Sequence, residues 1–275
     1  MKPLLGIRVI NLAVNLPGPA AAQRLLRLGA ETIKVEPPAG DPMERYHVQW
    51  YRDMAEGQTV VTLDLKSSDD RKTLHDLLGT VDLLITASRP AALSRLGLDW
   101  KSLHRDFPRL CQVAIVGYPA PRENEDGHDL TYQASLGLLT PPHLPRTLMA
   151  DMAGAERTIS ASLALLLARE RGQGSGYAEV ALSEAAAAMA EPYRYGTTVA
   201  GANLGGGIPE YNIYRTTDGW VAVAALEPHF KQRLESMLEI ASPEEYRAEF
   251  AGHNSAYWRE WGQNQDVPIE TVREN

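Results

Sequence analysis

The sequence has few of the features that mark secreted or membrane proteins. Its 275 residues include one cysteine, Cys111, so an internal disulfide is impossible and a cysteine-based metal site is not expected. No stretch approaches the ~20 uninterrupted apolar residues of a membrane span. The apolar run near the N-terminus is too short for a cleaved signal peptide. We therefore expect a cytoplasmic protein with no membrane partner and no bound metal.

Positive charge is also in short supply. The chain carries 27 basic and 35 acidic residues, which gives a net charge of −8. Nucleic-acid binding depends on a basic surface that releases counterions from the phosphates. We therefore expect no nucleic-acid partner, although a local basic pocket for a small phosphorylated ligand is compatible with this balance.

The sequence signatures of four common enzyme classes are missing as well. After the first strand-like segment, residues 15–20 read NLPGPA, not the G-x-G-x-x-G that brings a pyrophosphate to a helix N-terminus. The chain has no G-x-x-x-x-G-K-[ST] phosphate loop, no H-E-x-x-H zinc helix and no G-x-S-x-G nucleophile elbow. These chemistries are therefore not indicated.

The first half of the chain alternates between strand-like and helix-like segments. Apolar runs and period-two patterns predict strands at 7–12, 31–36, 60–65, 81–86 and 111–118. Between the first two, Pro17-Gly18-Pro19 interrupts the chain, and residues 20–28 have helical spacing with Gly29 placed to end the helix. Parallel strands need crossover connections of this kind, so we expect an α/β fold with a parallel sheet.

The second half contains longer helices and one glycine-rich segment. Alanine- and leucine-rich patterns predict helices at 151–171 and 183–190. Strand-like segments then flank the Asp218-Gly219 turn signal. Together these features predict a large domain over residues 1–200, a linker over 201–210 and a small domain over 211–275.

Three polar positions are candidates for chemistry, each with an ordinary structural alternative. His128 and Asp129 lie in a loop, where a histidine is usually solvated. Asp151 stands just before the long helix, where aspartate is a favoured N-cap but where the helix N-terminus also stabilises a reactive anion. Glu227 follows an apolar strand-like segment, a common place for a surface carboxylate.

Six segments of the sequence, which follow one another in a fixed order, together identify a family far more specifically than any one of them does. They include Gly-His-Asp at 127–129 and Ala-Leu-Glu-Pro at 225–228, and they span 4–42, 60–74, 81–100, 127–139, 150–182 and 205–230. With these segments the chain resembles the family III CoA-transferases, a family that includes the α-methylacyl-CoA racemases.

The resemblance implies a Rossmann-like large domain followed by a smaller α+β domain. It also implies a coenzyme A thioester as substrate, no permanently bound cofactor, and a homodimer whose chains interlock. Members usually return from the small domain to the large one through a second linker. We expect this C-terminal return segment to be lacking here. We therefore still expect a homodimer, and whether its two chains interlock stays open.

The resemblance also implies roles for individual residues. Asp151 matches the nucleophile of the transferases and one of two acid/base groups of the racemases, in which His128 is the other. Asp129 and Glu227 match carboxylates that orient and tune this pair. For coenzyme A, the matching positions are Val14, Asn15, Pro17, Gly18, Arg89 and Arg95.

The two chemistries make different demands on these side chains. Returning an α-proton to the opposite face of a thioester needs a base and an acid, roles that an imidazole and a carboxylate can exchange. We expect N–H groups at the helix N-terminus to bind the enolate oxygen. CoA transfer between carboxylic acids needs only the Asp151 nucleophile. The two short motifs favour proton transfer on a 2-methylacyl-CoA, while CoA transfer and a non-catalytic CoA-binding subunit that needs a partner chain stay open.

Overall fold

The computed structural model describes residues 1–274, and its first unit, Met1–Ala190, is built on a six-stranded sheet. The strands are β1 (Arg8–Asn11), β2 (Glu31–Glu36), β3 (Thr59–Thr62), β4 (Leu83–Thr86), β5 (Cys111–Val116) and β6 (Tyr177–Ala181). All neighbours are parallel, in the order β3-β2-β1-β4-β5-β6. This is the strand order of a Rossmann-like sheet, and it confirms the predicted α/β class.

Nine helices belong to this unit, of which the first eight lie between strands of the sheet and the ninth follows β6. They are α1 (Pro17–Arg27), α2 (Pro42–Tyr46), α3 (Val48–Ala55), α4 (Ser68–Leu78), α5 (Pro90–Leu96), α6 (Trp100–Asp106), α7 (Asp129–Ser135), α8 (Met149–Ala168) and α9 (Leu182–Met189). A π-helical turn, Arg169–Gln173, follows α8. No helix within residues 1–274 is both long enough and apolar enough to cross a membrane.

Two apolar layers fix the helices to opposite faces of the sheet. On one face, Val9 and Ile85 pack with Leu25 of α1 and Ile159 of α8. On the other face, Ile10 and Leu84 pack with side chains of α4, α5 and α6. Successive strand residues point to opposite faces, so neighbours such as Val9 and Ile10 belong to different layers.

Helix α1 and strand β6 are among the elements of the first unit that differ from the sequence prediction. Helix α1 begins at Pro17, where we expected a break, because proline is tolerated in the first turn of a helix, whose N–H groups have no intrahelical acceptor. Strand β6 was not predicted. It is an edge strand in which only Val180 and Ala181 are buried, so its hydrophobic pattern is too short to be read.

The second unit begins at Glu191 and has its own, antiparallel sheet. Its elements are α10 (Glu191–Arg194), β7 (Tyr211–Arg215), β8 (Trp220–Ala224), α11 (Pro228–Leu238), α12 (Pro243–Phe250), α13 (Ser255–Asn264) and β9 (Ile269–Thr271), with sheet order β7-β8-β9. The expected linker, 201–210, contains a short 3-10 turn, Asn203–Gly205. Phe250 packs between Tyr214 and Trp258 in the core. This unit confirms the predicted α+β class of the smaller domain.

Candidate active site

A cavity of about 480 Å³ opens where β1, β4 and β5 end. The turn after β1 contributes Val14, Asn15 and Pro17, the turn after β4 contributes Arg89, and Gly117 follows β5. The chain leaves β1 toward β2 and leaves β4 toward β5, in opposite directions along the sheet. Open α/β sheets bind ligands at such a switch point, outside the carboxyl ends of the strands.

Asp151 lies on the wall of this cavity, in the first turn of α8. We expected it just before the helix, but α8 begins at Met149, so Asp151 is not the N-cap residue. Burial, together with the negative charge of Asp129, raises the pKa of Asp151 to about 6, and His128 acts in the opposite direction. The carboxyl group of Asp151 therefore changes its charge close to neutral pH.

Asp129 caps α8 from a different helix. Its side chain is buried, and Oδ1 accepts hydrogen bonds from the backbone N–H of Ala150 at 2.6 Å and of Asp151 at 3.2 Å. Oδ2 accepts a hydrogen bond from Gln133 Nε2 at 2.6 Å. These bonds satisfy two N–H groups that have no partner inside the helix. Both of these groups are thus occupied, and the expectation that N–H groups at this helix N-terminus bind an enolate oxygen stays a prediction.

His128 lines the same cavity as an exposed side chain at the N-cap of α7. Its Nδ1 lies 2.5 Å from the carbonyl oxygen of Gly127. A carbonyl only accepts hydrogen bonds, so this contact is a hydrogen bond in the tautomer that carries the proton on Nδ1, and that tautomer leaves the lone pair on Nε2. The backbone N–H of His128 donates to Thr131 Oγ1 at 3.0 Å, which holds the residue at the helix start. Nε2 can therefore accept a proton.

The structure brings together most, though not all, of the predicted site residues. His128, Asp129 and Asp151 share the cavity with Val14, Asn15, Pro17 and Arg89. Gly18 lies beneath the wall, where a Cβ would stand 2.1 Å from Ala13 Cβ, so glycine allows α1 to approach the end of β1.

Two further predicted residues are not among those that line the cavity. Arg95 is exposed in the last turn of α5, outside the cavity lining. Glu227 belongs to the second unit, where it is the exposed N-cap residue of α11 and makes no capping bond with its side chain. The predicted catalytic role of Glu227 stays a prediction.

The cavity wall is acidic, in contrast to the basic pocket that a phosphorylated ligand would favour. Five carboxylates line it: Glu123, Glu125, Asp126, Asp129 and Asp151. Among the lining residues described, Arg89 is the one arginine or lysine. Arg89 is itself ion-paired with Asp126. The cavity thus provides acid/base groups more readily than a phosphate site.

Tyr132 is a cavity residue that the sequence analysis missed. It is 1% exposed, and its hydroxyl has no hydrogen-bond partner among residues 1–274. Burial and the neighbouring Tyr118 raise the pKa of Tyr132 to about 12. A Cβ at Gly117 or at Gly127 would lie 2.6 Å from the hydroxyl. No local signal in the sequence points to Tyr132, because its burial depends on the packing of α7 against Ala150 and Ala186.

Fold and site together define a class of protein. A parallel α/β sheet carries an imidazole and a half-buried carboxyl group on one cavity at its switch point, an arrangement suited to proton transfer or to nucleophilic attack. The chain belongs to CoA-transferase family III, whose family model matches residues 4–274. This membership confirms the resemblance seen in the sequence and makes acyl-CoA thioesters the substrate class of the family.

Curated relatives of the chain include both transferases and racemases. The probable fatty acyl-CoA transferase Rv3272 of Mycobacterium tuberculosis is 29% identical over 271 residues, which cover 85% of this chain and 68% of that protein. The α-methylacyl-CoA racemase of Homo sapiens is 30% identical over 259 residues, covering 88% and 66%. The succinyl-CoA–D-citramalate CoA-transferase of Chloroflexus aurantiacus is 28% identical over 248 residues, covering 82% and 62%. The chain thus spans about two thirds of the length of these relatives.

A solved structure supports the fold. The crystal structure of Rv3272 from Mycobacterium tuberculosis matches with a TM-score of 0.84 at 24% sequence identity, covering 99% of this chain and 86% of that one. The fold of both units is therefore that of family III proteins.

Proposed function

We propose that the chain is an acyl-CoA racemase or epimerase that moves the α-proton of a 2-methylacyl-CoA. One observation carries this proposal: His128 and Asp151 line one cavity, and the pKa of Asp151 is raised to about 6. A group that both takes and returns protons works best when its pKa lies near the working pH. An ordinary aspartate has a pKa far below neutral pH. It is therefore almost fully ionised at neutral pH and would return a proton poorly.

The proposed reaction uses the two groups on opposite faces of the α-carbon. Nε2 of His128 takes the α-proton of one enantiomer, the electron pair moves into the thioester as an enolate, and protonated Asp151 delivers a proton to the other face. The opposite enantiomer reacts in reverse, with ionised Asp151 as the base. The positive end of the α8 dipole stabilises the enolate charge.

Asp129 supports this chemistry in two ways. By capping α8 it fixes the turn that carries Asp151, and its negative charge helps to raise the pKa of Asp151. Val14, Asn15 and Pro17 would contact the acyl thioester, with Arg89 and the exposed Arg95 near the phosphates of coenzyme A. A tuning role for Glu227, a homodimer and a cytoplasmic location are carried over from the sequence as proposals.

CoA transfer is the second candidate. Asp151 lies at a helix N-terminus and accepts no hydrogen bond within residues 1–274, which leaves its carboxylate free to attack a thioester. Attack would form a mixed anhydride and release the CoA thiolate. The thiolate would then attack the aspartyl carbonyl, giving an aspartyl-CoA thioester and the first free acid. A second acid would take the CoA by the same steps in reverse, which frees the Asp151 carboxylate. Several curated relatives carry the name of CoA-transferases.

The experiment that separates these functions is a panel of acyl-CoA thioesters in deuterated water, followed by mass spectrometry. Proton transfer predicts α-deuteration of 2-methylacyl-CoA substrates, and His128→Ala should abolish it for the enantiomer that His128 deprotonates. The matched control is His143→Ala, which removes an exposed histidine outside the cavity lining.

Two results would contradict the proposal. Absence of deuteration, with CoA exchange between acids that Asp151→Asn abolishes, would establish the transferase. CoA binding without either reaction would establish a binding subunit.

A further inference from the structure

Three charged side chains are buried together beside the cavity without lining it. Lys34 of β2 is 1% exposed, and its Nζ lies 2.5 Å from Asp41 Oδ2 and 3.0 Å from Glu36 Oε1. Tyr51 of α3 donates its hydroxyl to Glu36 Oε1 at 2.9 Å. Burial and the hydrogen bond to Glu36 raise the pKa of Tyr51. Buried charges are costly unless they are paired and hydrogen-bonded, and this cluster meets both conditions.

The second oxygen of Asp41 reaches the cavity wall through the backbone. Oδ1 accepts hydrogen bonds from the N–H of Asn15 at 2.9 Å and of Met43 at 2.9 Å. Asn15 and Met43 both line the cavity, whereas Asp41 and Lys34 do not. One carboxylate outside the cavity therefore ties together two wall segments, the turn after β1 and the start of α2.

The hydrogen bond from Asn15 to Asp41 stabilises the turn after β1, whose backbone conformation is unfavourable. Asn15 has φ 68°, in the left-handed region that a residue with a side chain adopts at some cost. The fixed acceptor at Asp41 holds Asn15 in this conformation, and the ion pair to Lys34 prevents the carboxylate from rotating away. The backbone conformation of Asn15 at the cavity wall is thus fixed by Asp41, which does not itself line the cavity.

We propose that Asp41, held by Lys34, is a positioning residue that presets the turn of residues 14–17 to bind the acyl-CoA thioester. This inference rests on the proposed function, because it assigns the thioester to the cavity. A preset turn loses little conformational entropy when the substrate binds. Removing the acceptor should therefore weaken substrate binding while leaving the chemistry at His128 and Asp151 intact.

Two double variants separate positioning from the stability that the ion pair provides. Lys34→Met/Asp41→Asn and Lys34→Met/Asp41→Leu both remove the ion pair and both leave Glu36 with Tyr51 alone. The amide oxygen of the first can still accept from both backbone N–H groups, whereas the leucine of the second cannot.

The readouts are the Kd of a 2-methylacyl-CoA by calorimetry and kcat for α-deuteration. We expect the asparagine variant to bind nearly as tightly as the unaltered protein and the leucine variant to bind about tenfold more weakly, the effect of losing the acceptor of two backbone N–H groups. Their kcat values should agree within about threefold, which is less than one charge-assisted hydrogen bond contributes. Equal Kd values for the two variants would overturn the inference while leaving the proposed function standing.

A measurement on the unaltered protein covers the case in which the leucine variant fails to fold. Amide hydrogen exchange at the Asn15 N–H should be slow although the Asn15 side chain is exposed, because that N–H donates to Asp41. Fast exchange at Asn15 would overturn the inference. Failure of the unaltered protein to bind any CoA thioester, with Asn15 still protected, would instead overturn the proposed function on which the inference rests.

Discussion

Replacing Asp151 with asparagine should stabilise the protein above pH 6, although the substitution removes a candidate catalytic group. The pKa of Asp151 is about 6, against an ordinary value of 3.8. Between these two pH values the folded protein binds more protons than the unfolded chain. The contribution of Asp151 to the free energy of unfolding therefore falls as the pH rises from about 4 to about 6. At pH 8 the folded state holds an ionised carboxylate that it disfavours. Asparagine carries no such charge.

The size of the effect follows from the shift. At about 1.4 kcal/mol for each pKa unit, the full shift corresponds to about 3 kcal/mol at pH 8. Asp151 is partly exposed, and solvent screening lowers this figure, so we expect Asp151→Asn to raise the free energy of unfolding by about 1–3 kcal/mol. At pH 4.5, where the folded state is largely protonated but the unfolded chain is still largely ionised, about one third of the effect should remain.

Urea unfolding of the two proteins at pH 8 and at pH 4.5 measures this directly. Asp76→Asn is a matched control of opposite sign, because the hydrogen bond from Lys72 lowers the pKa of the exposed Asp76 carboxyl group. An Asp151→Asn protein that is equally stable or less stable than the unaltered protein at pH 8 would refute the argument that burial and Asp129 raise this pKa.

Three further predictions test the site. The rate of α-deuteration should rise with an apparent pKa of about 6 for the enantiomer that ionised Asp151 deprotonates, and a pH-independent rate between pH 5 and 7 would count against Asp151 as base. Asp129→Ala should destabilise the protein by about 1–2 kcal/mol through loss of the α8 cap and should lower the pKa of Asp151, measured by the same pH–rate profile; an unmoved pKa would show that Asp129 does not act on it. Gly117→Ala places a Cβ 2.6 Å from the Tyr132 hydroxyl, so it should cost about 1–3 kcal/mol in urea unfolding. Adding Tyr132→Phe should recover part of that loss, and strictly additive effects would contradict the predicted clash.

The sequence predicted the sheet best where a strand has a complete pattern of its own. Strand β2 spans Glu31–Glu36, the segment whose alternation was read, and Gly29 has the positive φ of a residue that ends a helix. Strand β6 could not be predicted in this way, because its place at the sheet edge is fixed by pairing with β5. Long-range pairing leaves no local signature in so short a segment.

The site was predictable in its chemistry but not in its supports. The resemblance indicated His128 and Asp151, and both line the cavity. The hydrogen bond from the Asp151 N–H to Asp129 joins residues 22 positions apart, and the hydrogen bond from the Asn15 N–H to Asp41 joins residues 26 positions apart. Such bonds depend on how helices and turns pack in three dimensions. Only the folded chain reveals that Asp129 caps α8 and that Asp41 accepts hydrogen bonds from two segments of the cavity wall.

The central claim is that His128 and Asp151 act on opposite faces of one α-carbon. Its most direct test follows the α-deuteration of the separate enantiomers of a 2-methylacyl-CoA with the His128→Asn and Asp151→Asn variants. The account predicts that neither variant interconverts the enantiomers, and that each variant still exchanges the α-proton of one enantiomer, a different one in each case. Exchange of both enantiomers by either variant, or loss of the same enantiomer by both, would contradict it.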